Sequence, residues 1–293
     1  MTFRIRDFQT YENQYKKSVE DPESFWAEMA ETFQWRKKWD KVLEWNFKEP
    51  DVNWFLNGKL NITENCLDRH LETRGDQLAL IWEPNDPKDG HRTFTYNELH
   101  KEVCRAANML LAQGIKKGDR VCLYMPMIPE LAISVLACAR IGAIHSVVFA
   151  GFSARSLADR IIDGRCHTVI TCDELVRGDK KLLLKHIVDE ALVDCPMVER
   201  TIVYKHTGVR CDMTAKDVWW HEAIEGMSSE HEAETMDSED TLWNIIHHGS
   251  NIPSFIFHYL FNILNMIFKL LVQTVNFSIR TSSIVVNPIA KGQ

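Results

Sequence analysis

The chain has 293 residues, a net charge of −7 and 45% hydrophobic residues, enough for one large domain or two small ones with a sizeable core. The acidic balance argues against nucleic acid or an anionic membrane as the main partner. Eight cysteines are scattered without a CxxC pair, which argues against structural zinc, and most stand in apolar runs as small hydrophobes do in a reducing compartment.

The opening MTFRIRDFQTYENQYKKSVEDPESF has no apolar signal core, so a cytoplasmic chain is expected. Residues 1–64 read as a helical extension. Asp21-Pro22-Glu23-Ser24 starts a helix, and Trp26, Phe33, Trp35, Trp39, Trp45 and Trp54 fall on a charged background. Such a segment either clamps its aromatics onto a larger domain or stands free as a helical cap. From residue 60 the pattern becomes α/β. Asn65–Thr73 reads as a helix closed near Gly75, Leu78–Glu83 as a strand and EPNDPKDGHR as a polar turn. Leu99, Val103, Ala106, Ala107 and Leu110 mark one face of a helix that Gly114 stops.

Gly118 to Ile162 organises the rest. Arg120–Met125 is an apolar run, the pattern of a strand covered on both faces. Pro129 suits the first turn of a helix, Glu130 complements its positive end, and Gly142 closes it. Ile144–Phe149 reads as a second strand, Ala150-Gly151-Phe152 as a tight loop and Ser153 as the next helix cap. A strand–helix–strand crossover of this length implies a parallel sheet, with ligands expected at its carboxyl edge. Thr168–Cys172 and Thr201–Lys205 read as further strands, and Lys185–Ala191 lies on a helix.

The last third changes character. SSEHEAETMDSED looks like a surface linker. In Phe255–Val272 the polar residues His258, Asn262, Asn265 and Lys269 form one narrow helical stripe. Three readings stand: a membrane span, an interfacial or interaction helix, or a tail foreign to the fold.

The segments LNITENCLDRHLETRGDQLALIWEPND, TFTYNELHKEV, GDRVCLYMPMIPELAISVLACARIGAIHSVVFAGFS and TCDELVRG closely resemble the N-terminal part of AMP-forming acetyl-CoA synthetases (acetate–CoA ligases) of the adenylate-forming superfamily. The resemblance runs from about Phe25 to Leu242. It implies an α/β fold built on a doubly wound parallel sheet, divided into an N-terminal extension (1–64), part of the AMP-binding domain (65–242) and an unrelated apolar tail (243–293). The implied reaction makes acetyl-CoA from acetate, ATP with Mg2+, and coenzyme A, through acetyl-adenylate. The implied coenzyme A contacts are the loop Phe149-Ala150-Gly151, where Ala150 replaces a family glycine, and Arg177-Gly178-Asp179-Lys180, where Lys180 replaces an arginine and Lys181 is a candidate to compensate. Without the resemblance, RGDKK reads as a solvated turn.

The family's Ser/Thr/Gly-rich phosphate loop, ending in Lys, is expected just after Ser238-Glu239-Asp240-Thr241-Leu242. There the chain reads WNIIHHGS. A product of truncation, frameshift or read-through of a noncoding segment, without catalytic activity, is therefore expected, with no site for ATP or Mg2+ identifiable. The alternatives are a binding module that docks its tail helix to a partner or membrane, and a chain that does not fold stably. His145 reads as a core histidine and Trp219-Trp220-His221 as packing. Asp173-Glu174 reads as a carboxylate pair whose side chains point apart.

Overall fold

The structure, a computed structural model, describes residues 5, 7–46, 48–49, 51–244, 278–280 and 283–285. The N-terminal part is helical only at first. α1 (Phe8–Glu20) is capped by Asp7, which accepts from Thr10 N, and α2 (Pro22–Ala30) by Asp21, with Pro22 in its first turn. Two strands then form an antiparallel hairpin, β1 (Lys41–Asn46) and β2 (Asp51–Leu56), followed by the short β3 (Lys59–Leu60). The extension is helical over α1 and α2 and continues as a hairpin that the sequence reading did not include. Its aromatics pack mainly on one another, with Trp35, Trp39 and Phe55 rings 4.9–5.5 Å apart. Phe33 alone of the six singled-out aromatics packs against the main core.

The main body begins with a π-helical turn, Glu64–Asp68, that runs into α3 (Arg69–Arg74). β4 (Leu78–Glu83) and β5 (Arg92–Thr95) pair antiparallel. α4 (Tyr96–Ala112) starts at a reciprocal cap between Thr95 and Glu98. The organising stretch folds as read: β6 (Arg120–Tyr124), α5 (Pro129–Arg140), β7 (Ile144–Val147) and α6 (Ala154–Gly164), the last capped by Ser153. β8 (Thr168–Cys172) follows, then a hairpin of β9 (Leu175–Arg177) and β10 (Lys180–Leu182), α7 (Leu184–Leu192) and β11 (Arg200–Tyr204). β12 (Asp217–Trp219), α8 (Trp220–Ala223) and β13 (Met236–Asp237) complete the body.

The central sheet is parallel with strand order β12-β11-β8-β6-β7. Every residue of α5 is buried, as its nearly continuous apolar sequence requires. Val121, Leu123, Ile170 and Ile202 face a core shared with α4 and α5. Cys122, Tyr124 and Val169 face a second core with α6 and α7. The sheet is therefore wound on both faces. Adjacent strands β6 and β8 send their helices to opposite sides, which creates a crevice at their carboxyl ends.

The acidic segment expected to be a linker is instead a strap packed across the body. Its acidic side chains are exposed or half-buried, with Asp237 paired to Lys59 and Asp240 to Lys117, while its backbone serves polar groups of the body. His231 O accepts from Arg140 Nε (3.1 Å) and Nη2 (2.7 Å), Glu234 O accepts from Asn61 Nδ2 (2.8 Å), and Ser228 O accepts from Asn108 Nδ2 (2.8 Å). β13 pairs antiparallel with β3, which ties the strap to the N-terminal part. The helix expected over Phe255–Val272 lies outside the described residues. Of the tail, β14 (Ser278–Arg280) runs parallel to β4, and β15 (Ser283–Val285) pairs with β14.

Candidate functional site

The loop after β7 is wound tightly. Gly151 N donates to Phe149 O at 2.8 Å, and a Cβ on Gly151 would stand 2.6 Å from Phe149 Cε1. Glycine is what lets the Phe149 ring lie back over its own loop. Phe152 meets Phe149 edge-to-face at 5.8 Å between centroids, and its carbonyl accepts from Tyr124 Oη at 2.7 Å. Burial pushes the Tyr124 phenol upward, so it stays a neutral donor. Ala150 is buried in the core under α6 and α7, so the methyl that replaces the family glycine is absorbed by packing.

The second loop is the hairpin β9–β10. Gly178 has φ +58° and Asp179 does not share a positive φ. That is the pattern of a type II′ turn, which takes glycine at its first central position. The register sets Arg177 directly opposite Lys180, so both side chains leave the same face of the hairpin. Lys181 leaves the other face, with Nζ 3.9 Å from Glu174 Oε2. It does not join Arg177, contrary to the expectation that it compensates for the replaced arginine.

The fold brings the two loops together. The Arg177 guanidinium carbon lies 5.9 Å from the Phe149 ring centroid. The result is an exposed cationic edge, Arg177 with Lys180, beside an aromatic face. Like charges directly opposite on a hairpin are mildly destabilising, an arrangement that an anion bound between them would relieve. Guanidinium offers a planar fork to phosphate, and ammonium a point charge.

Asn85 escaped the sequence reading, and Asp173 was read there only as half of a carboxylate pair. Asn85, in the turn after β4, accepts from Gly178 N at 2.7 Å and donates to Gly178 O at 3.0 Å. Asp173 is fully buried at the end of β8. Its Oδ1 accepts from Glu174 N (2.7 Å), His206 N (2.8 Å) and Thr207 N (3.2 Å), and its Oδ2 from Thr207 N (3.2 Å) and Gly208 N (2.7 Å). It clamps the loop after β11 onto β8. The only available signals were the turn-forming character of Asn85 and a carboxylate closing an apolar strand. Neither names its partner, because the partners are remote in sequence.

Other polar groups serve the frame. At the opposite edge of the sheet, Arg140 makes a two-point ion pair with Asp68 (2.8 and 2.9 Å); against the desolvation that raises it, hydrogen bonds from His100 and Arg140 hold the Asp68 carboxyl well below its usual range. His100 is pushed up to about 9 by its hydrogen bond to Asp68 and its contact with Cys104. His145 is buried, and its Nδ1 has no hydrogen-bond partner among the described residues. Desolvation lowers it to about 4, which fits the core role read from sequence. Trp220 is buried in the core. Among the described residues no group of three His, Cys, Asp or Glu side chains is arranged to hold a metal ion.

The family profile described as AMP-binding enzyme matches residues 67–247, and one described as the acetyl-coenzyme A synthetase N-terminus matches residues 11–66. The acetyl-coenzyme A synthetase of Bdellovibrio bacteriovorus is 52% identical over 242 residues, covering 82% of this chain and 38% of that protein. The enzyme of the same name from Syntrophobacter fumaroxidans is 53% identical over 247 residues, 83% of this chain and 38% of that protein. A solved structure of acetoacetyl-CoA synthetase from Streptomyces lividans superimposes with a TM-score of 0.71 at 26% identity, covering 78% of this chain and 34% of that one. The chain thus spans a little over a third of the length of the curated relatives it matches.

Proposed function

We infer a function from one premise: the chain belongs to the AMP-binding enzyme family. Its matches to acetyl-coenzyme A synthetases cover both the N-terminal extension and the main body. We therefore assign it to acetate–CoA ligase chemistry. In that reaction acetate attacks the α-phosphate of ATP, giving acetyl-adenylate and pyrophosphate. The thiol of coenzyme A then attacks the adenylate carbonyl, giving acetyl-CoA and AMP. A non-catalytic interaction module finds no support in these matches.

The part of that machinery carried by the described residues is the phosphate-bearing nucleotide end of the coenzyme A site. The observation behind this is the meeting of Arg177 with Phe149, with Lys180 opposite Arg177. Arg177 and Lys180 would hold phosphate oxygens, and Phe149 would offer a flat apolar face. Gly151 would let the Phe149 ring lie close against the loop and so set the orientation of that face, while Gly178 and Asp179 form the turn that aims the cations. ATP and Mg2+ are the family's other substrate and cofactor. The chain's residues Trp243 to Ser250, where the phosphate loop is expected, hold one glycine and no lysine, so we assign no ATP–Mg2+ contact to described residues. This chain by itself is expected to form no acetyl-adenylate.

We place the chain in the cytoplasm. No helix among the described residues is long and apolar enough to cross a membrane, and all the cysteines but Cys211 are buried, as small hydrophobes are in chains of a reducing compartment. We also divide it at residue 64 into extension and AMP-binding domain, with 243–293 as a tail whose strand β14 lies against β4. Calorimetric titration tests the site: coenzyme A should bind, and Arg177→Ala should weaken it about tenfold. An unchanged affinity overturns the site, and acetate-dependent pyrophosphate exchange by the purified chain overturns the absence of adenylation.

A further inference from the structure

We infer that Asn85 is a positioning residue for the coenzyme A phosphate edge, aiming Arg177 through the turn that follows it. The inference rests on the coenzyme A reading above. The hairpin β9–β10 has little to hold it in place by itself. Each strand has three residues, and Arg177 to Leu182 are all exposed; only Leu175 is buried. An isolated two-stranded hairpin is marginal in water, and this one carries two cations opposite each other.

The Asn85 carboxamide supplies what the hairpin lacks. Its two bonds, 2.7 Å from Gly178 N and 3.0 Å to Gly178 O, grip the donor and the acceptor of a single residue. A two-point grip fixes the turn in rotation as well as in position. Gly178 immediately follows Arg177, so rotating the turn swings the guanidinium.

The other end of the grip is anchored. Asn85 follows β4, where the Trp82 indole donates to Met127 O at 2.9 Å. Met127 belongs to the segment between β6 and α5, so the anchor reaches the central sheet. On the far side of Asn85, Asp86 Oδ1 accepts from Lys88 N at 3.0 Å and caps its own short turn. The loop is thus held on both sides of Asn85. Alanine at this position removes both bonds, and aspartate removes the donor while adding charge beside an anion site.

The test is a double-mutant cycle on the purified full chain, with coenzyme A affinity read by calorimetry and folding by thermal melts. Arg177→Ala should weaken binding about tenfold and Asn85→Ala about fivefold. In the Arg177→Ala background, Asn85→Ala should cost less than about twofold, because nothing remains to be aimed. A merely structural role would leave its effect the same in both backgrounds, and that result overturns the inference. So does an Asn85→Ala variant that binds like the parent while Arg177→Ala does not. If the parent fails to bind, or Arg177→Ala changes nothing, the coenzyme A reading falls and this inference with it. Should Asn85→Ala not fold, Asn85→Leu keeps the branched shape, removes both bonds and is judged by the same cycle.

Discussion

Replacing Asp173 with asparagine changes almost no volume and should still destabilise the chain substantially. The carboxylate is fully buried and accepts from the amides of four residues, Glu174, His206, Thr207 and Gly208. The amide group of asparagine can keep an oxygen at only one of the two carboxylate positions. With its oxygen at the Oδ1 position, the new NH2 faces Gly208 N–H, a donor against a donor across what was 2.7 Å. The reverse orientation is worse, because it sets the NH2 against Glu174 and His206. A hydrogen bond to a charged group contributes about 1.5–3 kcal/mol, and an unsatisfied donor adds its desolvation cost. One bond lost outright and the others reduced to neutral strength amount to about 3 kcal/mol. In a urea titration with a slope of about 3 kcal/mol per molar, the midpoint should fall by about 1 M. Tryptophan fluorescence is a suitable probe, because the Trp82 ring lies 6.4 Å from that of His206 in the clamped loop. The exposed Asp179→Asn variant serves as control. A shift for Asp173→Asn below about 0.3 M would refute the idea that this carboxylate holds the loop.

Two further outcomes follow from the frame. The Arg140–Asp68 pair should show a coupling energy of at least about 2 kcal/mol in an Arg140→Met/Asp68→Asn cycle, since the Arg140 side chain is 3% exposed; additive single-variant effects would mean that the strap, and not the ion pair, is what Arg140 serves. For His145, the folded pKa of about 4 lies below the unfolded value of about 6.5. Its buried neutral form is fully accommodated above pH 6.5. Between pH 6.5 and 4 the unfolded chain gains a proton that the folded chain refuses, so stability falls by about 3 kcal/mol over that range. His145→Leu should flatten this slope, and an equal slope in both proteins would show that other groups dominate.

The parts of the fold legible in the sequence are those whose signals are local. Pro129 and Ser153 mark helix starts, Gly142 a stop, and the apolar run from Arg120 a covered strand; the structure has each of these within a few residues. The hairpin Lys41–Leu56 was not legible. Its sequence is Trp-rich and charged, and its stability comes from rings outside the strands, such as Trp35 and Trp39. The strap was misread for a related reason. Its acidic side chains indicate solvent, while the groups that bind it are main-chain carbonyls and ion pairs with the remote Lys59 and Lys117, which composition does not reveal. At the candidate site, Phe149 and Arg177 were named through resemblance, but their contact is a product of the sheet order. Asn85, and the role of Asp173, stayed hidden because their partners stand 93 and 33–35 residues away.

The strap also sets an order of events during synthesis. Asn61 and Arg140 emerge long before Glu234 and His231, the residues whose carbonyls they bind. Until about residue 240 has left the ribosome, the nascent chain carries a core with polar groups awaiting acceptors and an N-terminal hairpin without its latch. Contacts that close so large a loop form slowly. The interval before latching is when this chain is most exposed to chaperones, proteases and self-association.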